Sequence, residues 1–104
     1  MMRVTYAGGS FVTGDDVAKA LLDYAAALGG QGKAVAIGVP AMDPAHGTLE
    51  VDLLVGPASQ MIAEPFETGE PELESTEFVR ELRDRVTRLE RPAWSGRGLI
   101  EWDE

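Results

Sequence analysis

The residues of this 104-residue chain that could do chemistry are one histidine, a run of glutamates, two glycine turns and an aromatic tail. His46 is the sole histidine and sits in Met42-Asp43-Pro44-Ala45-His46-Gly47. Beside an aspartate, an imidazole can act as a general base. No second histidine offers a metal ligand, and no nucleophile stands next to it in sequence. The segment therefore reads as a solvated hairpin loop. The absence of cysteine removes disulfides, thiolate metal sites and thiol nucleophiles.

Gly8-Gly9-Ser10 lies after a strand pattern and before a helix pattern, the order found in a phosphate loop. The spacing fits neither G-x-G-x-x-G nor G-x-x-x-x-G-K-[ST], and Asp15 and Asp16 at the helix start would repel a phosphate. Gly29-Gly30-Gln31-Gly32-Lys33 has a Walker-like composition but follows a helix and precedes a strand, so it reads as a helix stop and turn.

Residues 64–77 hold Glu64, Glu67, Glu70, Glu72, Glu74 and Glu77 and no base. A calcium loop needs ligands at fixed alternating positions around a glycine. Here the spacing is irregular, and Pro65, Gly69 and Pro71 interrupt it, so a solvating loop is expected. Arg80, Arg83, Arg88 and Arg91 are interleaved with Glu81, Asp84 and Glu90, as on a solvated helix face rather than a nucleic-acid contact. Asp15, Asp16, Asp23, Glu50 and Asp52 would pair as carboxylates only if the fold brought them together. No catalytic, cofactor-binding or metal-binding residue is assigned, and no cofactor is expected.

The candidate interaction residues are Trp94, Leu99, Ile100 and Trp102. They include both tryptophans of the chain. Large aromatics are costly to leave in water and common at interfaces. The tail has three readings: packed on its own domain, paired with a second copy or a partner, or else disorder or a C-terminal appendage.

The elements that must position these residues follow from periodicity. Arg3 to Tyr6 reads as a strand stopped by Gly8-Gly9, with a hairpin return through Ser10-Phe11-Val12 as the alternative. A helix follows. Thr13 is the expected N-cap with Asp16 as its capping partner, and Val12 and Val17 form a hydrophobic staple. Val17, Leu21, Tyr24, Ala25 and Leu28 make its apolar face, and Gly29-Gly30 is the expected stop. Ala34 to Val39 and Thr48 to Val55 alternate as half-buried strands, the first with a small face of Ala34, Ala36 and Gly38 open to close approach by a helix or a second sheet. After the Gly56-Pro57 turn, Gln60 to Phe66 reads as a third adjacent strand weakened by Pro65. A second helix spans about Thr76 to Arg91, with Phe78, Val79, Leu82, Val86 and Leu89 on one stripe. Glu81 with Arg85, and Asp84 with Arg88, are its expected ion pairs.

The fold expected is α+β. It is a two-layer sandwich of a small, mainly antiparallel sheet of three to five strands and two amphipathic helices, in the order β-α-β-β-(β)-α plus a C-terminal tail. The later strands would form a meander, and a right-handed crossover would set the first strand parallel to the second. Residues 1–92 form one domain and 93–104 an aromatic tail on the domain or a partner.

Composition narrows the function classes. Hydrophobic residues at 44% and charged residues at 26% are ordinary for a globular chain. Nine basic against eighteen acidic residues give −9, which argues against nucleic acid and against an anionic membrane surface. No apolar run has signal-peptide or membrane-spanning length, so a cytoplasmic protein is expected. Seven arginines against two lysines, with abundant alanine and glycine, give a bacterial-like composition typical of GC-rich genomes.

The leading expectation is a small acidic, non-enzymatic interaction module with a protein partner or as a homodimer. One alternative is a small-ligand binder or Asp/Glu-based enzyme with a cleft near the Gly8-Gly9 and Gly56-Pro57 turns. The other is an acidic inhibitor or antitoxin-like protein for a basic target.

Overall fold

The computed structural model describes residues 1–43, 47–57 and 60–90. Within them the chain forms β1 (Met2–Tyr6), β2 (Gly9–Thr13), α1 (Asp15–Gln31), β3 (Val35–Asp43), β4 (Gly47–Val55), β5 (Met61–Pro65) and α2 (Thr76–Glu90). The five strands make one sheet in the order β4-β3-β2-β1-β5, and every registered pair is antiparallel. With two helices, this is the α+β architecture expected from the sequence.

The hairpin return at Gly8-Gly9 is formed, adding a strand to the expected order. Ala7 and Gly8 both have positive φ, 54° and 85°. Two such residues in a two-residue loop give a turn whose twist matches the flanking strands. β1 and β2 then pair through Val4↔Phe11 to Tyr6↔Gly9. β5 closes on the other side of β1, through Val4↔Ala63 and Arg3↔Glu64, and not against β4. The expected meander therefore stops at the β3–β4 hairpin. The parallel pair expected from a crossover is not found either. α1 joins β2 to β3, and their single registered pair, Val12↔Met42, is antiparallel.

Thr13 is not the cap of α1. The N-cap is Gly14, with no side-chain cap bond. Thr13 lies at the end of β2, wholly buried, and its Oγ1 donates to the Pro40 carbonyl at 2.7 Å. Gly14 cannot carry a side chain here, because a Cβ would fall 1.8 Å from the Leu73 carbonyl oxygen. The helix also runs past the expected stop. Gly29 and Gly30 stay helical, and Gly32, at φ 67°, ends the helix by donating its N–H back to the Gly29 carbonyl. That left-handed position is one glycine adopts without strain.

Val17, Ala18, Ala20, Leu21, Tyr24 and Leu28 bury the inner face of α1 against Val4, Val39, Leu53 and Val55 of the sheet. Leu82 is the buried residue of α2, and Phe78, Val79, Val86 and Leu89 of the same helix pack half-buried against the core. Contacts advance together along both helices: Asp23 with Arg83, Tyr24 with Arg85, Gln31 with Leu89. The two helices therefore lie side by side and point the same way.

The acidic segment before α2 is more than a solvated loop. Leu73 is buried in the core, and Glu72 is bonded to two groups at the start of the chain and of α1. The segment is a strap pressed against Gly14.

Candidate functional site

Where β1, β3, β4 and β5 end, the sheet leaves a cleft of about 680 Å³. Its walls are Thr5, Tyr6, Ala7 and Gly8 on one side, and Ala34, Leu54, Gly56 and Pro57 with Gln60 and Ile62 on the others. The sequence reason is visible. β2 and β3 share only the Val12↔Met42 pair, so no ladder joins the two hairpins along the rest of their length. Pro40, which has no N–H to give to a ladder, sits just beyond that pair. Leu54 and Ile62 are left 64% and 63% exposed. The Gly8 and Gly56-Pro57 turns, far apart in sequence, thus meet in one cleft. No carboxylate stands in its described lining, so it offers apolar contact and no acid–base pair.

A second feature is the β4 edge. Among the described residues β4 has a strand neighbour on one side only, β3. Thr48, Glu50, Asp52 and Leu54 alternate along its exposed face. Glu50 lies across Gly38 of β3, so close that a Cβ at Gly38 would sit 1.9 Å from Glu50 Oε2. The small face of β3 therefore admits a glutamate side chain where a helix or a second sheet was expected. Beside this edge is a recess of about 450 Å³ with Leu49, Glu50, Glu77 and Phe78 in its walls.

The third feature gathers charge at the start of α1. The Met1 amino group lies 3.0 Å from Asp15 Oδ1 and 2.9 Å from Glu72 Oε1. Glu72 Oε2 accepts the Asp15 backbone N–H at 2.6 Å. Hydrogen bonds to Glu72 and then Asp15 raise the amine above its ordinary value. The Asp15 N–H and then the amine hold the Glu72 carboxyl below its ordinary range. These groups satisfy one another and the open end of α1, which is a structural role.

The other residues singled out by sequence separate. Asp23 pairs with Arg83. The expected Glu81–Arg85 pair forms at 2.9 Å, and Arg88 comes within 3.9 Å of Glu81. Arg85 also donates to the Tyr24 hydroxyl at 3.2 Å. Glu81 and then Tyr24 raise the pKa of that guanidinium. Among the described residues no three metal-ligating side chains gather, and no helix is long and apolar enough to cross a membrane. His46, Trp94, Leu99, Ile100 and Trp102 lie outside the described residues, as does Arg91.

Among the described residues the fold is a two-layer α+β arrangement with helices on one face of the sheet, a cleft at one end and β4 at one edge. Comparison with protein-family models, with curated proteins and with solved structures gives no match to this chain.

Proposed function

We propose that this chain is a non-enzymatic interaction module that adds an extended, basic segment of a protein partner to the β4 edge. The observation that carries this reading is a nine-residue strand edge flanked by a recess holding Glu50 and Glu77. A strand added there would gain main-chain hydrogen bonds along its length. Its alternate side chains would meet Glu50 and Asp52, and the net charge of −9 would speed the approach of a basic partner. A second copy fits less well. Full-length antiparallel self-pairing centred on Val51 sets Glu50 opposite Asp52 of the other copy, and like charges directly opposite repel.

The test is a titration of the isotopically labelled chain with an end-blocked peptide of alternating lysine and valine, followed by amide chemical shifts. Shifts concentrated in residues 47–55 and weakened by salt support the reading. So does loss of binding in the Glu50→Lys, Asp52→Lys double variant, whose two sites are exposed. Shifts elsewhere, or binding indifferent to charge reversal, would refute it. A concentration-dependent dimer through β4 would put a second copy in the partner's place.

A further inference from the structure

We infer that the β4 edge takes its partner in one register: antiparallel, bonded to the main chain of Thr48, Glu50, Asp52 and Leu54, with one basic side chain opposite Glu50, at the recess it shares with Glu77, and another opposite Asp52. Resting on the β4-edge reading, this names the segment that edge would select.

The register follows from one hydrogen bond. β3 lies between β2 and β4. The Pro40 carbonyl accepts from the Thr13 hydroxyl at the end of β2, so it points toward β2 and away from β4. Along an antiparallel ladder, residues that bond a given neighbour alternate with residues that do not. Pro40 is therefore not hydrogen-bonded to Glu50, although the two stand directly opposite. Proline fits this position, because the N–H it lacks would face β2 and not the β3–β4 ladder. The phase then runs along the whole hairpin. Ala41↔Leu49, Val39↔Val51, Ile37↔Leu53 and Val35↔Val55 are the bonded pairs. Thr48, Glu50, Asp52 and Leu54 turn their main-chain groups the other way, to the side where β4 has no strand neighbour among the described residues.

These four residues also share one face of the strand, and all four are exposed. A strand that exchanges bonds with them sets one residue directly opposite each, on that same face. Opposite Glu50 and Asp52 a basic side chain is favoured, and a two-residue spacing puts both charges on that face. Opposite Leu54, which is 64% exposed, an apolar side chain is favoured. The basic residue facing Glu50 lies beside the recess of about 450 Å³ that has Glu50, Glu77 and Phe78 in its walls. Its apolar stem can lie on Phe78 and bring its charge toward both carboxylates. From N- to C-terminus the antiparallel segment reads apolar, any, basic, any, basic.

The probes are two end-blocked peptides, Leu-Thr-Lys-Val-Lys-Val-Thr and the same residues in reverse order, added to the isotopically labelled full chain. In the free chain the amides of Thr48, Glu50, Asp52 and Leu54 should exchange with solvent fast, and those of Leu49, Val51, Leu53 and Val55 slowly. The forward peptide at saturation should slow the first set several-fold and leave the second set unchanged. The reversed peptide should bind several-fold more weakly. Glu77→Gln, at an exposed site off the strand, should weaken the forward peptide several-fold. Slow exchange in the first set and fast in the second would reverse the phase and overturn the inference. So would a reversed peptide that binds as well, or indifference to Glu77→Gln. In each of these cases, salt-sensitive shifts confined to residues 47–55 would still uphold the edge reading. Slow exchange of both sets in the free chain would show the edge already paired, and would defeat both.

Discussion

The Thr13 hydroxyl donates to the Pro40 carbonyl at 2.7 Å, and this bond ties β2 to β3 beside their single registered pair. Replacing Thr13 by valine keeps the shape and leaves the Pro40 carbonyl without that donor. The expected loss is about 1–2 kcal/mol, the cost of a buried acceptor left unmade. Thr13→Ser keeps the donor and should retain the bond. Chemical denaturation of both variants decides the matter, and equal losses would show that the methyl group, not the bond, matters.

Gly14 and Gly30 should respond to alanine with opposite signs. At Gly14 the new Cβ would collide with the backbone of Leu73, so Gly14→Ala should cost about 1–3 kcal/mol as the strap is pushed away. At Gly30, inside α1, nothing lies within 4 Å, and Gly30→Ala should stabilise by about 0.5–1 kcal/mol. Thermal midpoints of the two variants check both. By the same reasoning, deleting residues 67–74 should abolish cooperative folding, because it removes Leu73 and Glu72 together.

Ala7 holds a positive φ of 54°, which costs a residue with a Cβ about 1–2 kcal/mol. Asparagine tolerates that conformation and is favoured before glycine in this turn. Ala7→Asn should therefore raise stability by about 0.5–1 kcal/mol. A neutral or negative result in denaturant titration would show that the turn relaxes in solution.

The Met1 amine and Glu72 give stability a pH window. The amine is raised above its ordinary 8.0, so its contribution is complete below that value and is lost as pH climbs through the folded value. Glu72 is lowered below its ordinary 4.5, so its contribution is complete above that value and is lost as pH falls through the folded value. The wild-type chain should exceed Glu72→Gln in stability most between about pH 4.5 and 8. The difference should vanish as pH falls through the folded value of Glu72 and only narrow on the alkaline side, where Glu72 still accepts the Asp15 N–H. Paired unfolding curves across pH test it, and a constant difference would mean the bond to the Asp15 N–H acts without the charges.

Much of this architecture was legible because each element carried its own period. The alternation of Val35, Ile37 and Val39 against Ala36 and Gly38 marked β3, and the stripe from Phe78 to Leu89 marked α2. What was hidden depends on partners distant in sequence. Pairing of β1 with β5 is chosen by which edge is free after the chain has crossed the sheet, and no local pattern encodes that. Thr13 looked like a cap because threonine before two aspartates is a cap signal. The glycine after it took the position because the strap leaves no room for a side chain. Glutamates read as solvating hid Leu73, a lone apolar residue with no period to reveal it. Of the candidate surfaces, sequence named the two turns that frame the cleft. The exposure of Leu54 and Ile62 there follows from the sparse contact between β2 and β3, which Pro40 alone hinted at.

The pairing of Val4 with Ala63 has a consequence for the chain as it emerges during synthesis. The hairpin of β1 and β2 can close within about 1–10 μs, long before β5 has been made. Until then the outer side of β1 is an open template of amides and carbonyls, with Met2, Val4 and Tyr6 behind it. The nascent chain is thus most prone to aggregate in that interval. A ribosome stall shortly before residue 61 would prolong it, and slower translation there should lower the soluble yield.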